Sequence, residues 1–588
     1  MKVFLSLLTL FLTLNFTPPA QTSSVAKSSA AELAGLWEAK QRFGPDIRGT
    51  LMIRQINNRW AAEIAGQSVE PKLVGDAISF ALPDGENRFV GKFVSRRAQI
   101  TGHWIQPGTP EFGPLASPVK LTKQGSVWLG TVTPMESAMT FYLLVKADRQ
   151  DGSVSAFLKN PERNIGVNQY PVDHLERDGE AIKVFAAAKN GASARLLAEG
   201  RYDQQQQALS IYFGGRGGSY DFRRVAPDQV SDFYPRGRPK ADYVYHVPPT
   251  LADGWATASL EQVGISQPVI EKFIRMVIET PIDSVHAPEV HGVLIARHGK
   301  LVLEEYFHGA GRDKPHDMRS ASKSLTATLI GAAINSGVPV KVSTPVYQIM
   351  NGGTFPEGLD PRKRALTLEH LLTMSSGLDC DDADMNSPGR EDYMTDESTE
   401  PDYYKFTLAL KNIRDPGAKA VYCSVNPNLA GGVLKQAAGR PLPELMQELI
   451  AEPLQIKLYY LGITPTGDAY MGGGAKFLPR DFMKLAQLHL AGGVWNGHRV
   501  ISTDWVQRAT TPHYNFSETS QYGYAWWIYD YPYKGRKVRA YYASGNGWQH
   551  AIAIPELDLV IGFYAGNYAD RLPLHQDYVP NCILPAIK

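Results

Sequence analysis

Three short segments of this chain carry residue types that could do covalent chemistry together: Ser320-Ala321-Ser322-Lys323, Tyr422-Cys423-Ser424, and Ala543-Ser544-Gly545-Asn546-Gly547. In the first, a hydroxyl and an amine are three residues apart. On a helix that spacing puts both side chains on one face, within hydrogen-bond reach. A serine hydroxyl is a weak nucleophile until a base removes its proton. A lysine can be that base if burial or nearby positive charge depresses its pKa. A helix N-terminus adds backbone N–H groups and partial positive charge, which favour a developing oxyanion. The S-x-x-K pattern is weak alone, and Ser24-Val25-Ala26-Lys27 also matches it. Position separates the two.

Ser320 follows a strand hairpin. Gly292–Arg297 and Lys300–Tyr306 flank the compact turn His298-Gly299. Ser320 then opens an apolar run from Ser322 to Ser336, in which Leu325, Leu329, Ala332 and Ala333 share a face. Gly337 is placed as a C′ residue and Pro339 forbids continuation. Val269–Ile278 predicts another helix. Strands and helices mix to the end of the chain, so residues 258–588 read as an α/β or α+β domain.

The region 30–228 reads instead as β-rich, either lipocalin-like or sandwich-like. Strand-like runs (51–54, 60–64, 77–80, 99–105) are punctuated by Gly, Asn and Asp. Later runs at 141–145, 179–185 and 209–213 echo the earlier ones, so two related units and one long sandwich both fit. Residues 229–257 carry Pro235, Pro239, Pro248 and Pro249 among polar residues, the composition of an ordered linker.

At 588 residues the chain exceeds one hydrophobic core, which agrees with several domains. Its 43% hydrophobic and 20% charged content is that of a folded globular protein, and its net charge of +1 argues against nucleic-acid binding. Lys2 followed by the apolar run Val3–Phe16 and small residues reads as a signal peptide over residues 1–26, implying export to the periplasm or beyond and no membrane span after cleavage. Three cysteines, Cys380, Cys423 and Cys582, imply one pair and one free thiol, without saying which. They form no metal-ligand spacing, and G-x-S-x-G, Walker, dinucleotide and H-E-x-x-H patterns are missing. Neither metal nor organic cofactor is expected. The acidic run Asp379–Asp384 reads as a solvated loop rather than a Ca²⁺ site.

The order hairpin, Met318-Arg319-Ser320-Ala321-Ser322-Lys323-Ser324, then Leu366–Leu378 with its Thr-Met-Ser-Ser-Gly stretch, resembles the β-lactamase-related serine hydrolases. That superfamily includes class C β-lactamases, D-alanyl-D-alanine peptidases, family VIII esterases and 6-aminohexanoate-dimer hydrolases. Asp415-Pro416-Gly417, Gly472-Gly473-Gly474 and Pro555–Val560 extend the resemblance over about residues 255–588. It implies a β-lactamase/transpeptidase-like fold, with Ser320 as nucleophile, Lys323 as its base and Tyr422 passing a proton to the leaving group. It also implies an oxyanion hole from the backbone N–H groups of Ser320 and Asn546, with Ser424, Ser544, Gly545 and Gly547 lining the substrate. Cys380 and Cys423 flank these segments. A disulfide between them would rigidify the loop carrying Tyr422; two buried free thiols are the other reading.

Two departures from the family pattern matter. Tyr-x-Asn appears as Tyr422-Cys423-Ser424, and Ala543 stands where the third motif usually has Lys or His. A substrate carboxylate thereby loses its expected cation. The expectation is hydrolysis of a small-molecule ester or amide. A β-lactamase or D-alanyl-D-alanine peptidase, and a ligand-binding or sensor protein without turnover, are the alternatives. Trp526-Trp527 and Tyr531 with Tyr533 suit either an apolar substrate cleft or the core.

Overall fold

The computed structural model describes residues 30–94, 98–151, 153–163, 169–188, 193–226, 232–282, 284, 286–568 and 574–588. The expected leader, residues 1–26, lies outside them. Among the described residues no helix is long and apolar enough to cross a membrane.

The β-rich region is two bodies. Eight antiparallel strands close into a barrel: Gly35–Gly44 followed by seven strands between Ser137 and Val225. Alternation along one strand shows why it closes, since Met139, Phe141, Leu143 and Val145 point into one core with Trp37 and Ala39. The first strand pairs with Ser137–Lys146 on one side (Gly35 opposite Val145) and with Gly218–Val225 on the other (Leu36 opposite Val225). Nine strands from Gly49 to Val132 form the second body, a sheet around Leu51, Ile53, Ile78, Phe89 and Trp104. The two bodies are not consecutive units, because the second is inserted after the first strand of the barrel.

The catalytic domain is built on a nine-stranded sheet between two helical layers. The predicted hairpin spans Val290–Arg297 and Lys300–Tyr306, and the predicted helices span Gln267–Glu279 and Ser322–Asn335. The strands are apolar on both faces, as a doubly covered sheet requires. Leu294 and Ala296 face the layer that holds Ser322–Asn335; Val293 and Ile295 face the layer that holds Gln267–Glu279. Residues 232–255 are irregular but strapped down. Tyr243 and Tyr245 are buried, and their hydroxyls donate to Glu305 Oε1 (3.0 Å) and the Val302 carbonyl (2.8 Å).

The N-terminal bodies are fixed to the catalytic domain. Leu461 and Gly462 of a catalytic-domain strand pair with Ala116 and Leu115, continuing the inserted sheet across the boundary. His103 Nε2 lies 2.7 Å from Tyr459 Oη, and Tyr460 Oη donates to the Thr133 carbonyl at 3.0 Å. From the barrel, Lys159 reaches to 3.7 Å from Glu289, both fully buried.

Candidate active site

Ser320 sits in a single 3₁₀ turn, Arg319–Ala321, that leads directly into the helix Ser322–Asn335. Arg319 has φ +48°, a left-handed conformation costly for a residue with a side chain and common at functional turns. Neighbouring hydrogen bonds hold it there. Asp317 Oδ1 accepts the Arg319 N–H at 3.0 Å, and the Arg319 carbonyl accepts the Gly474 N–H at 3.1 Å. The Gly472-Gly473-Gly474 segment lies against this turn, and Ala475 N donates to Ser322 Oγ at 3.1 Å.

Lys323 Nζ donates to Ser320 Oγ at 2.9 Å. The lysine is 1% exposed, inside the helical layer, and its ammonium lies 5.0 Å from the centre of the Tyr422 ring. Tyr422 is half-buried. It stacks on Trp527 with ring centres 5.7 Å apart and meets Phe516 and Tyr522 edge-on. The loop carrying it is held by the Thr-Met-Ser-Ser-Gly segment, since Val421 N donates to the Met374 carbonyl (2.9 Å) and Gly417 N to the Ser375 carbonyl (2.8 Å). Cys380 and Cys423 form a disulfide at the next residue, leaving Cys582 as the free thiol.

The electrostatics differ from the sequence expectation of a lysine depressed by its surroundings. Burial does push Lys323 toward its neutral form, but the charges of Tyr422, Glu391 and Asp382 outweigh it and hold the lysine above its ordinary value. Two of those residues, Asp382 and Glu391, were not singled out from the sequence as functional. Asp382 belongs to the acidic run read as a solvated loop, yet it is turned inward. Nothing in a single sequence distinguishes that aspartate from its exposed neighbours.

Ser424 does not face an open cleft. It is fully buried, and its hydroxyl lies 2.6 Å from Asp382 Oδ2 and 3.0 Å from Glu391 Oε2. Ser544 is half-buried near the end of the strand Arg536–Gly545, opposite His550. Gly545 lies on the Arg319–Ala321 turn. A Cβ built there overlaps the Met318 carbonyl oxygen and comes within 3.0 Å of Ala321 N and 3.2 Å of Arg319 Cβ. Asn546 follows directly and is exposed. Gly547 has φ +84° and pairs with Asn567. Gly545 is therefore required by the close approach of strand and turn. Gly545→Ala is expected to lower kcat/KM on p-nitrophenyl butyrate by about 10²-fold, because misplacement by an ångström costs that much. Soluble protein with unchanged kcat/KM would show that the strand can retreat without penalty.

Trp526 is fully buried in the core, and Tyr531 is buried with its hydroxyl 2.7 Å from His575 Nδ1. Trp527 is the member of that aromatic set packed on Tyr422. Among the described residues no group of His, Cys, Asp and Glu is arranged to hold a metal ion.

Comparison with known proteins agrees with this architecture. The 6-aminohexanoate-dimer hydrolase of Paenarthrobacter ureafaciens is 26% identical over 224 residues, covering 36% of this chain and 55% of that protein. The monacolin J acid methylbutanoyltransferase of Aspergillus terreus is 30% identical over 157 residues, 24% of this chain and 37% of that protein. The chain thus spans about half or less of the length of these curated relatives. Among solved structures, a family VIII carboxylesterase aligns with TM-score 0.40 and 17% identity over 52% of this chain and 94% of its own. A D-stereospecific amidohydrolase from Streptomyces aligns with TM-score 0.39 and 18% identity over 50% and 95%. Residues 282–569 match the family model Beta-lactamase.

Proposed function

We propose that the protein is a serine hydrolase that cleaves a small ester or amide through a covalent acyl group on Ser320. The observation that carries this reading is the buried Lys323 ammonium within hydrogen-bond distance of Ser320 Oγ, with the face of Tyr422 on its other side. Acylation requires the Ser320 proton to leave as Oγ attacks the substrate carbonyl. Lys323 and Tyr422 are the groups placed to take it and to return it to the departing alkoxide or amine. The protonated amine with phenolate and the neutral amine with phenol hold the same number of protons, so the two residues act as one pair. The tetrahedral intermediate would be held by the backbone N–H groups of Ser320 and Asn546, and water would then release the acyl group.

Tyr422 packs in an aromatic cluster with Trp527, Phe516 and Tyr522, which gives the site an apolar wall. With Ala543 in the third motif, a neutral ester or amide suits it better than a lactam or peptide carboxylate. The same acyl group could pass to an alcohol instead of water, as the name of the Aspergillus relative describes for that protein. Export of the mature enzyme, expected from the leader sequence, belongs to this proposal.

A fluorophosphonate probe tests the nucleophile. Wild type is expected to label at Ser320 and to turn over p-nitrophenyl acetate or butyrate, whereas Ser320→Ala should do neither. Equal labelling of both proteins would defeat the assignment, and labelling without turnover would favour a ligand-capturing protein.

A further inference from the structure

Near Lys323 lies a set of polar groups that the chemistry above does not use, Ser424 fully buried and Asp382 and Glu391 half-buried. Asp382 Oδ2 accepts the Ser424 N–H at 2.8 Å and contacts Ser424 Oγ at 2.6 Å, while Asp382 Oδ1 accepts the Glu391 N–H at 3.0 Å. Glu391 Oε2 lies 3.0 Å from the same Ser424 Oγ, and Glu391 Oε1 accepts the Tyr470 hydroxyl at 2.6 Å. The group is wired to the site through its backbone, because Asp382 N donates to the carbonyl of Tyr422 at 3.0 Å.

Proton counting makes this arrangement informative. A serine hydroxyl carries one proton and can donate it once. Two carboxylate oxygens lie within hydrogen-bond distance of Ser424 Oγ. If both carboxylates were ionised, one of these contacts would set lone pair against lone pair in a buried site, which is costly. One extra proton resolves it: the hydroxyl donates to one carboxylate and accepts from the other, protonated, carboxyl group. Burial holds the Asp382 carboxyl above its ordinary value, which makes Asp382 the natural holder of the proton, and Glu391, which accepts the Tyr470 hydroxyl at 2.6 Å, keeps the negative charge. The pair then presents one negative charge, not two, to the single buried ammonium of Lys323. The groups facing Lys323 are Ser320, Tyr422, Asp382 and Glu391, and Arg319 faces Glu391 from the nucleophile turn.

We propose that Asp382, Ser424 and Glu391 form a proton-sharing relay that sets the charge of the Lys323–Tyr422 pair, with Glu391 as a positioning residue for acyl transfer. This gives a physical role to Ser424 in the Tyr-Cys-Ser variant, since a side chain with a single transferable proton suits a bridge between two carboxyl groups. The inference rests on the serine-hydrolase reading.

The test is the pH dependence of kcat/KM for p-nitrophenyl butyrate in the full-length protein. Acylation needs the Lys323–Tyr422 pair to lose a proton, so the rate rises with pH. Removing negative charge near Lys323 makes that proton easier to lose. Glu391→Gln is therefore expected to move the midpoint of the rising limb to lower pH by about one unit, the usual size of a neighbouring-charge effect. Tyr470→Phe, which removes only the donor to Glu391 Oε1, should move it the same way by less, and it serves as the second variant if Glu391→Gln does not fold. A purely structural role would lower the rate at every pH and leave the midpoint in place; that result in either folded variant, or a shift to higher pH, overturns the relay. Fluorophosphonate labelling separates the two levels. If Ser320→Ala abolishes labelling while the midpoint stays fixed, the relay fails and the hydrolase reading stands. If Ser320→Ala labels like wild type, both fail together.

Discussion

Lys323→Ala is expected to lower turnover of p-nitrophenyl butyrate by at least ~10³-fold, because residues acting as one catalytic unit lose nearly everything when one is removed. The substitution deletes the donor to Ser320 Oγ and the cation facing the Tyr422 ring. It also leaves the Asp382–Glu391 pair without its buried countercharge, so part of the loss will appear as a lower melting temperature. The two effects are separated by assaying well below the melt and by labelling with fluorophosphonate, since a folded variant retains Ser320 but reacts slowly. A loss of tenfold or less in a folded protein would assign proton removal to another group.

The second large effect is on stability. Lys159 of the barrel and Glu289 of the catalytic domain are 2% and 0% exposed and 3.7 Å apart, with neither Lys159 Nζ nor the Glu289 oxygens in a closer hydrogen bond among the described residues. Burial pulls Lys159 below the ordinary lysine value and the Glu289 carboxylate only partly restores it. Removing one member of a buried pair strands the other charge, typically at ~3–5 kcal/mol, whereas replacing both with apolar residues of similar volume is often close to neutral. Lys159→Ala is accordingly expected to destabilise the protein by ~4 kcal/mol in urea unfolding, and Lys159→Met with Glu289→Leu to recover most of that. Because His291 lies beside Glu289 and within 2.8 Å of His316, the strand leading to Ser320 should register the loss as reduced activity before global unfolding. A single variant as stable as wild type would mean that the pair contributes nothing to joining the two domains.

The catalytic half was legible because its signals are local. The hairpin, the helix opened by Ser320 and its stop at Gly337 and Pro339 each follow from residue type and spacing within a few turns of chain. The parts that escaped depend on long-range placement. Asp382 and Glu391 lie forty and thirty-one residues before Tyr422, and only the fold shows that they end near Lys323. The direction in which Lys323 is shifted followed the same rule: burial was foreseeable from the apolar helix, but the anions that outweigh it come from a distant loop. In the β-rich half, alternation marked strands correctly but could not choose their partners. The echo between early and late strands leaves two related units and one long sandwich open, and pairing joins residues 35–44 to residues 137–146 and 218–225.

That pairing gives the N-terminal half the structure of a parenthesis. Its opening mark is one strand, its closing marks are seven, and the inserted sheet is the clause between them. Leu36 finds its neighbour Val225 only after the intervening chain has been made. Contacts so distant along the chain carry a heavy loop-closure cost and form late. The inserted sheet can form its local hairpins while the first strand waits unpaired, but excising residues 49–132 would also strip the strand partners of Leu461 and Gly462 and the imidazole beside Tyr459. Cutting the chain between the two bodies strands the opening mark and leaves the barrel with two exposed edges where it had none.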